Sequence, residues 1–250
     1  MNQSFYIGAV GAHQQLRNLN VHADNIANVN TFGFKADRVD FSSLMYQDHR
    51  GVEDDLPMGV GAKLLMTSTN FNQGAPSPTG RPLDYMIDGE GFFGLMDLDT
   101  GEITFTRCGA FYMAGRMEAT GEVDANGQPV TRQRFYLSDG EGRFVLSDTG
   151  GLIEVTESTD YCEKLPIGIF DYGNYNGMTQ LNSTRFIPID KNGGLWRGTG
   201  TLVQGVLEMS NADLGDEMTK VIEAQRAYGL ALKVVQTSDE IETTINALRN

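Results

Sequence analysis

With 250 residues the chain can bury a sizeable core, as one large domain or two modest ones. Its net charge of −14, carried without any Lys/Arg run, repels phosphate and anionic headgroups, so nucleic-acid binding and membrane-surface attachment are excluded as expected functions. Hydrophobic residues at 40% rule out generic disorder, and no apolar run of about 18 residues suggests membrane insertion.

The first zone is residues 1–35. Met1–Ile7 lacks a basic n-region and a long apolar h-region, so it does not read as a secretory signal. Apolar residues then fall at Phe5, Ala9, Ala12, Leu16, Leu19, Ala23 and Ile26, spacings of 4 and 3 that predict a helix with a heptad seam about three repeats long. Gly8 and Gly11 each weaken that helix by up to about 1 kcal/mol. The Asn-rich stretch Asn25–Asn30, Thr31 and Gly33 end it, with Gly33 expected at positive φ.

The middle zone, residues 36–205, begins with an extended, Pro-marked linker near 42–82 (Pro57, Pro76, Pro78 and Pro82). Beyond it, apolar runs alternate with turn signals. Leu83–Ile87, Phe92–Met96, Ile103–Arg107, Phe111–Met113, Phe135–Leu137 and Phe144–Leu146 are separated by Gly- and Asp-rich stretches. This predicts an antiparallel β-domain, in which Asp88-Gly89-Glu90-Gly91 and Asp139-Gly140-Glu141-Gly142 read as hairpin turns rather than as catalytic carboxylates. Asp97, Asp99 and Gly101 start like a calcium loop, but the later ligand positions fail and a turn is expected.

The last zone is residues 206–250. Asp213 is placed to cap a helix that starts near Leu214, with Asp216 and Glu217 in its first turn. Two seams run along it. One is Leu214, Met218, Val221, Gln225, Tyr228, Leu232 and Val235, and the other is Ala224, Ala227, Ala231, Val234, Ser238, Ile241, Ile245 and Leu248. Side by side they give an apolar arc of about 160°. That is wider than a two-stranded seam uses, so the helix is expected to touch more than one neighbour. Ala224, Ala227 and Ala231 allow close helix approach.

Other chemistry is sparse. His13 and His22 lie about 13 Å apart along a helix, too far for one metal, and His49 stands alone. Cys108 and Cys162 form no CxxC pair; sequence does not place a disulfide, and both read as small hydrophobes. No nucleotide, hydrolase or metalloprotease motif is present, so no enzyme activity, cofactor or metal is expected.

The stretch Asn25-Ile26-Ala27-Asn28-Val29-Asn30-Thr31-Phe32-Gly33-Phe34-Lys35 resembles the N-terminal signature of flagellar rod, hook and hook-associated proteins. Leu83–Phe93 and Thr106–Phe111 resemble the β-domain signature of the same axial proteins. Gln204–Leu214 and Glu223–Tyr228, continued by Val235–Glu240, resemble their C-terminal signature. The resemblance implies terminal helices forming an inner tube with a β-domain outside. It also implies export through the flagellar type III apparatus without a cleaved signal, and helical polymerisation. Implied partners are copies of the chain itself, neighbouring rod and hook proteins, the export apparatus and surrounding ring proteins.

The expected fold is therefore α+β: N- and C-terminal helices packed as a coiled-coil-like stem, mobile in the monomer, with a central antiparallel β-domain. The divisions are 1–35, 36–205 and 206–250. The expected function is a structural subunit of the basal-body rod, transmitting torque from motor to hook in the periplasm-spanning axis. The length suits a rod subunit, most similar to the distal type; the alternatives are a proximal rod or hook-type subunit, or a soluble β-core binding module. Leu16, Leu19, Ile26, Asn28, Met218, Val221, Tyr228, Leu232, Ile241 and Ile245 are expected at subunit interfaces.

Overall fold

A computed structural model of the protein describes residues 3–43, 47–48, 57–58, 61–123, 129–155 and 165–248. It is α+β, with a helix at each end of the chain and an antiparallel β-region between them. The chain forms two units: a helical one of residues 1–29, 36–70 and 212–250, and a β unit of residues 30–35 and 71–211. His49 and Cys162 lie outside the described residues.

In the helical unit, α1 (Gln3–Ala27) and α2 (Leu214–Leu248) run antiparallel, with Gly8 beside Val235 and Ala231 and His22 beside Glu217. Asp213 caps α2 as the sequence predicts: its Oδ1 accepts from the Gly215 N–H at 2.8 Å and the Asp216 N–H at 3.2 Å. At the end of α1 the Asn28 amide donates to the Asp24 carbonyl at 3.0 Å, closing the last turn. Four strands follow: β1 (Asp37–Ser43), β2 (Gln47–Asp48), β3 (Pro57–Met58) and β4 (Ala62–Thr69). β1 and β4 pair antiparallel with a bulge between Asp40 and Phe41, and β2 pairs with β3. The Leu64 N–H donates to Gln14 Oε1 at 2.9 Å, joining this ribbon to α1. Thus residues 36–70 group with the helices, because polar side chains of α1 hold the returning backbone.

The β unit holds β5 (Pro76–Pro78), β6 (Tyr85–Asp88), β7 (Phe92–Met96), β8 (Ile103–Thr106), β9 (Tyr112–Val123), β10 (Pro129–Ser138), β11 (Phe144–Val145), β12 (Ile169–Tyr172), β13 (Thr179–Asn182), β14 (Arg185–Ile187), β15 (Leu195–Arg197), β16 (Thr201–Gln204) and β17 (Val206–Glu208). One nine-stranded sheet has the order β13-β14-β8-β7-β11-β10-β9, with β12 joining β7 to β15; β16–β6 and β17–β5 are separate pairs. Strand alternation puts Phe93 and Leu95 of β7 in one core, with Tyr85, Ile87, Phe111 and Leu137. Phe92 faces a second, aromatic core with Phe105, Tyr172 and Phe186.

The two Asp-Gly tetrapeptides behave differently. Residues 139–142 do join a hairpin, with Ser138 opposite Phe144. Residues 88–91 do not: β6 pairs with β16 and β7 with β8, β11 and β12, so this turn passes the chain between sheets. Gly89 and Gly91, at φ of 105° and 122°, give it a path closed to other residues. Residues 97–101 form a turn, in which the Asp99 N–H donates to Asp97 Oδ1 at 2.9 Å. Phe93→Ala empties the first core and lowers stability by about 3–5 kcal/mol. Trp196→Ala, at a side chain 67% exposed, stays within about 0.5 kcal/mol. Urea unfolding of the three proteins followed by circular dichroism measures both.

Candidate functional site

The interior of the helix pair is polar and small-sided. α1 turns inward Gly8, Ala12, His22 and Asn25, and α2 turns inward Glu217, Ala224 and Ser238, all buried. A Cβ on Gly8 would lie 3.0 Å from the Val235 side chain and 3.3 Å from the Ala231 carbonyl, so glycine lets the helices approach closely. The helical cost of Gly8 is therefore offset by interhelical packing. At the other end Glu217 gathers the contacts. Its Oε2 is 2.6 Å from His22 Nδ1 and accepts from the Asn25 amide at 3.1 Å, and its Oε1 accepts from the Lys220 ammonium at 3.0 Å. Facing an ionised carboxylate, which only accepts, His22 Nδ1 is the donor. Burial pushes the Glu217 carboxyl up, but the hydrogen bonds from Asn25, Lys220 and His22 outweigh it and hold the group below the usual carboxylate range.

Asn25 does more than end a helix. Its amide donates to the Asp37 carbonyl at 2.8 Å and its Oδ1 accepts from the Asp37 N–H at 2.9 Å, so one side chain clamps β1 as well as reaching α2. The Asn25–Asn30 stretch is expected only to end the helix, but Asn25 reaches further: its main-chain partner is twelve residues on and its carboxylate partner is on the other helix. Asp37 itself is pushed up by burial, opposed by the bond from the Thr69 hydroxyl at 2.7 Å.

With the polar residues inside, the apolar ones remain outside. Of the residues expected at interfaces, Leu16, Met218, Leu232, Ile241 and Ile245 are exposed, and Leu19, Ile26, Asn28, Val221 and Tyr228 are half-buried. Phe5, Val10, Leu214, Ile222, Leu230 and Val234 are exposed too. Of the apolar line Phe5-Ala9-Ala12-Leu16-Leu19-Ala23-Ile26, Ala12 alone is buried; α1 is turned so that the line beside it faces its partner. Apolar periodicity alone missed His22, Asn25 and Glu217. His22 and Asn25, three residues apart, and Glu217, seven before Ala224, stand at helical intervals, which was the available signal.

In the β unit the three signature segments meet. Lys35, from the first, donates to Glu208 Oε1 at 2.5 Å and to the Asn72 carbonyl at 2.7 Å. Arg107, from the second, donates to Glu208 Oε2 at 3.4 Å and lies over the Phe92 ring at 5.3 Å. Glu208, from the third, also accepts from the Gly74 N–H at 2.8 Å, and its own carbonyl accepts from Gly33 N–H at 2.8 Å. The Lys35 and Glu208 side chains are wholly buried. Burial pushes the Lys35 ammonium down from its usual value, with Glu208 opposing the change and Arg107 adding to it. Gly33 has φ 72°, as expected, and a Cβ there would lie 2.3 Å from the Cys108 nitrogen. Sequence reading took these segments as strings; the charges at Lys35, Arg107 and Glu208, each beside an apolar or hydroxyl residue, were the mark of a buried cluster.

Two chain ends folded as one helix pair with large apolar residues left exposed, and a β unit locked by buried charges, are features of a structural subunit. Residues 5–35 match the family described as "Flagella basal body rod protein" and residues 203–248 the one described as "Flagellar basal body rod FlgEFG protein C-terminal". The chain belongs to the flagellar basal-body rod protein family of the FlgG type. It is 33% identical to that protein of Bacillus subtilis over 96% of this chain and 97% of the relative, 31% identical to that of Buchnera aphidicola subsp. Schizaphis graminum over 99% and 100%, and 30% identical to that of Borreliella burgdorferi over 100% and 99%.

Glu208→Ala leaves Lys35 and Arg107 buried without a counter-charge and costs about 3–5 kcal/mol. Replacing all three by apolar residues (Lys35→Met, Arg107→Leu, Glu208→Leu) costs much less in the same urea titration. Acid acts on the other cluster. Because the folded Glu217 titrates below its ordinary 4.5, its stabilisation is whole above that pH and is lost as the pH falls through the lower folded value. Helix content followed from pH 7 to 2 therefore falls less steeply in Glu217→Gln than in the unaltered chain.

Proposed function

We propose that the protein is a structural subunit of the distal rod that polymerises into a helical tube carrying torque from motor to hook. One observation carries the reading: the helix pair closes on glycine, alanine and hydrogen-bonded polar side chains while both helices leave large apolar side chains in water. A monomeric fold rarely leaves so many large apolar side chains of one helix pair exposed. Copies of the chain, and rod and hook proteins above and below it, are the partners that would cover it. The family match supports this role, and the distal type rests on relatives of one name matched along nearly the whole chain.

In this reading the paired helices form a coiled-coil-like stem whose outer parts are loosely ordered in the free subunit and settle on assembly. The β unit supplies further contacts between subunits. The subunit reaches the periplasm-spanning rod through the flagellar export apparatus, without a cleaved signal.

Met218→Ser, Leu232→Ser and Ile241→Ser together leave the monomer's unfolding within roughly 0.5 kcal/mol per site, since all three side chains are exposed. Assembly followed by sedimentation and electron microscopy is lost. A chain that stays a compact monomer at high concentration, with both ends resisting limited proteolysis, would overturn the proposal.

A further inference from the structure

The structure assigns a site of spontaneous chemical modification in the β unit: Asn176 loses its side-chain amide to its own backbone, while a neighbouring asparagine in the same Asn-Gly context is held out of the reaction. Asparagine before glycine is labile because glycine has no side chain to shield the backbone nitrogen that attacks. Two such pairs stand in the described residues, Asn176-Gly177 and Asn192-Gly193, and a third, Asn126-Gly127, lies outside them.

The two pairs touch, but their surroundings differ. Asn176 and Gly177 are exposed, in the middle of a turn that the Met178 N–H closes on the Tyr175 carbonyl at 3.4 Å. The Asn176 N–H donates to Asn174 Oδ1 at 2.9 Å, and its side chain has no hydrogen-bond partner among the described residues. Asn192 is 1% exposed. Its Oδ1 accepts from the Ile189 N–H at 2.6 Å, and its amide donates to the Asn174 carbonyl at 2.7 Å and the Asn176 carbonyl at 3.2 Å. An amide held in this way cannot bring its Cγ onto the Gly193 nitrogen until those bonds break and leave buried groups unpaired.

In the reaction the Gly177 nitrogen attacks Cγ of Asn176. The new C–N bond closes a cyclic imide, the Cγ–Nδ2 bond breaks, and Nδ2 leaves as ammonia with the proton of the Gly177 N–H. Water then opens the imide at either carbonyl. It leaves aspartate, or isoaspartate with the main chain rerouted through the side chain. Water is consumed, ammonia is released and a carboxylate is gained, with no oxidant or reductant involved. Rerouting displaces the Asn176 carbonyl, an acceptor for the buried Asn192 amide. Tyr175 and Met178, on either side of the pair, pack in the aromatic core with Phe92 and Phe186, so the change loosens that side of the core.

The full chain, kept folded at mildly alkaline pH and then digested, reports each Asn-Gly pair on its own peptide by mass spectrometry. Asn176 converts at least about tenfold faster than Asn192, whose bonds must open first. An isoaspartate-specific methyltransferase labels the Asn176 peptide. In the urea-unfolded chain the two rates converge. Asn176→Gln removes the fast conversion and leaves the slow one. The isoaspartate form, separated by chromatography, unfolds at lower urea than Asn176→Asp, which carries the same charge on an ordinary main chain. Equal rates at Asn176 and Asn192 in the folded chain, or isoaspartate at Asn176 only after unfolding, would overturn the assignment and leave the rod reading untouched.

Discussion

Glu217 is the carboxylate on which the helical unit depends. It is buried, and its two oxygens accept from His22, Asn25 and Lys220, so α1, α2 and, through Asn25, β1 meet around one charge. A charge in that position tolerates little sliding, because one register of the two helices satisfies all its donors. The helices could have packed on leucine and isoleucine instead. Polar atoms fix their register, glycine and alanine set their separation, and the apolar side chains stay available for other contacts. Directional bonds lie inside and non-directional surface outside, so register and outward contact are carried by different residues.

The β unit repeats the principle with another ion group. Lys35, Arg107 and Glu208 come from three distant segments, and each is held by main-chain or ring contacts as well as by the others. A buried group of this kind adds little net stability over an apolar one but penalises any arrangement that leaves a member unpaired. In this chain three stretches far apart in sequence thus supply one member each to a single buried group, and β-strands are built between them.

Much of this was legible in the amino acids, for identifiable reasons. Helix ends at Asp213 and Gly33 were readable because caps and positive-φ turns have specific chemistry. β7 was readable because both its faces are buried and its residues are uniformly apolar. β9 and β10 extend beyond their apolar cores into stretches such as Arg116-Met117-Glu118, where no buried face imposes alternation. The turn at 88–91 misled because Asp-Gly signals a tight turn without saying which strands it joins. The inward line of α1 misled because periodicity finds apolar residues, and here the inward line is glycine, alanine, histidine and asparagine.

The long reach of both ion groups governs the order in which the protein can be finished. His22 and Glu217 are 195 residues apart and Lys35 and Glu208 are 173 apart. Neither unit is a continuous stretch, since residues 30–35 belong with 71–211, and residues 212–250 with 1–29 and 36–70. A polypeptide made amino-end first therefore carries His22, Asn25 and Lys35 without their carboxylate partners until its last fifth is present. Closure of such distant loops is slow, so each ion group locks late in folding.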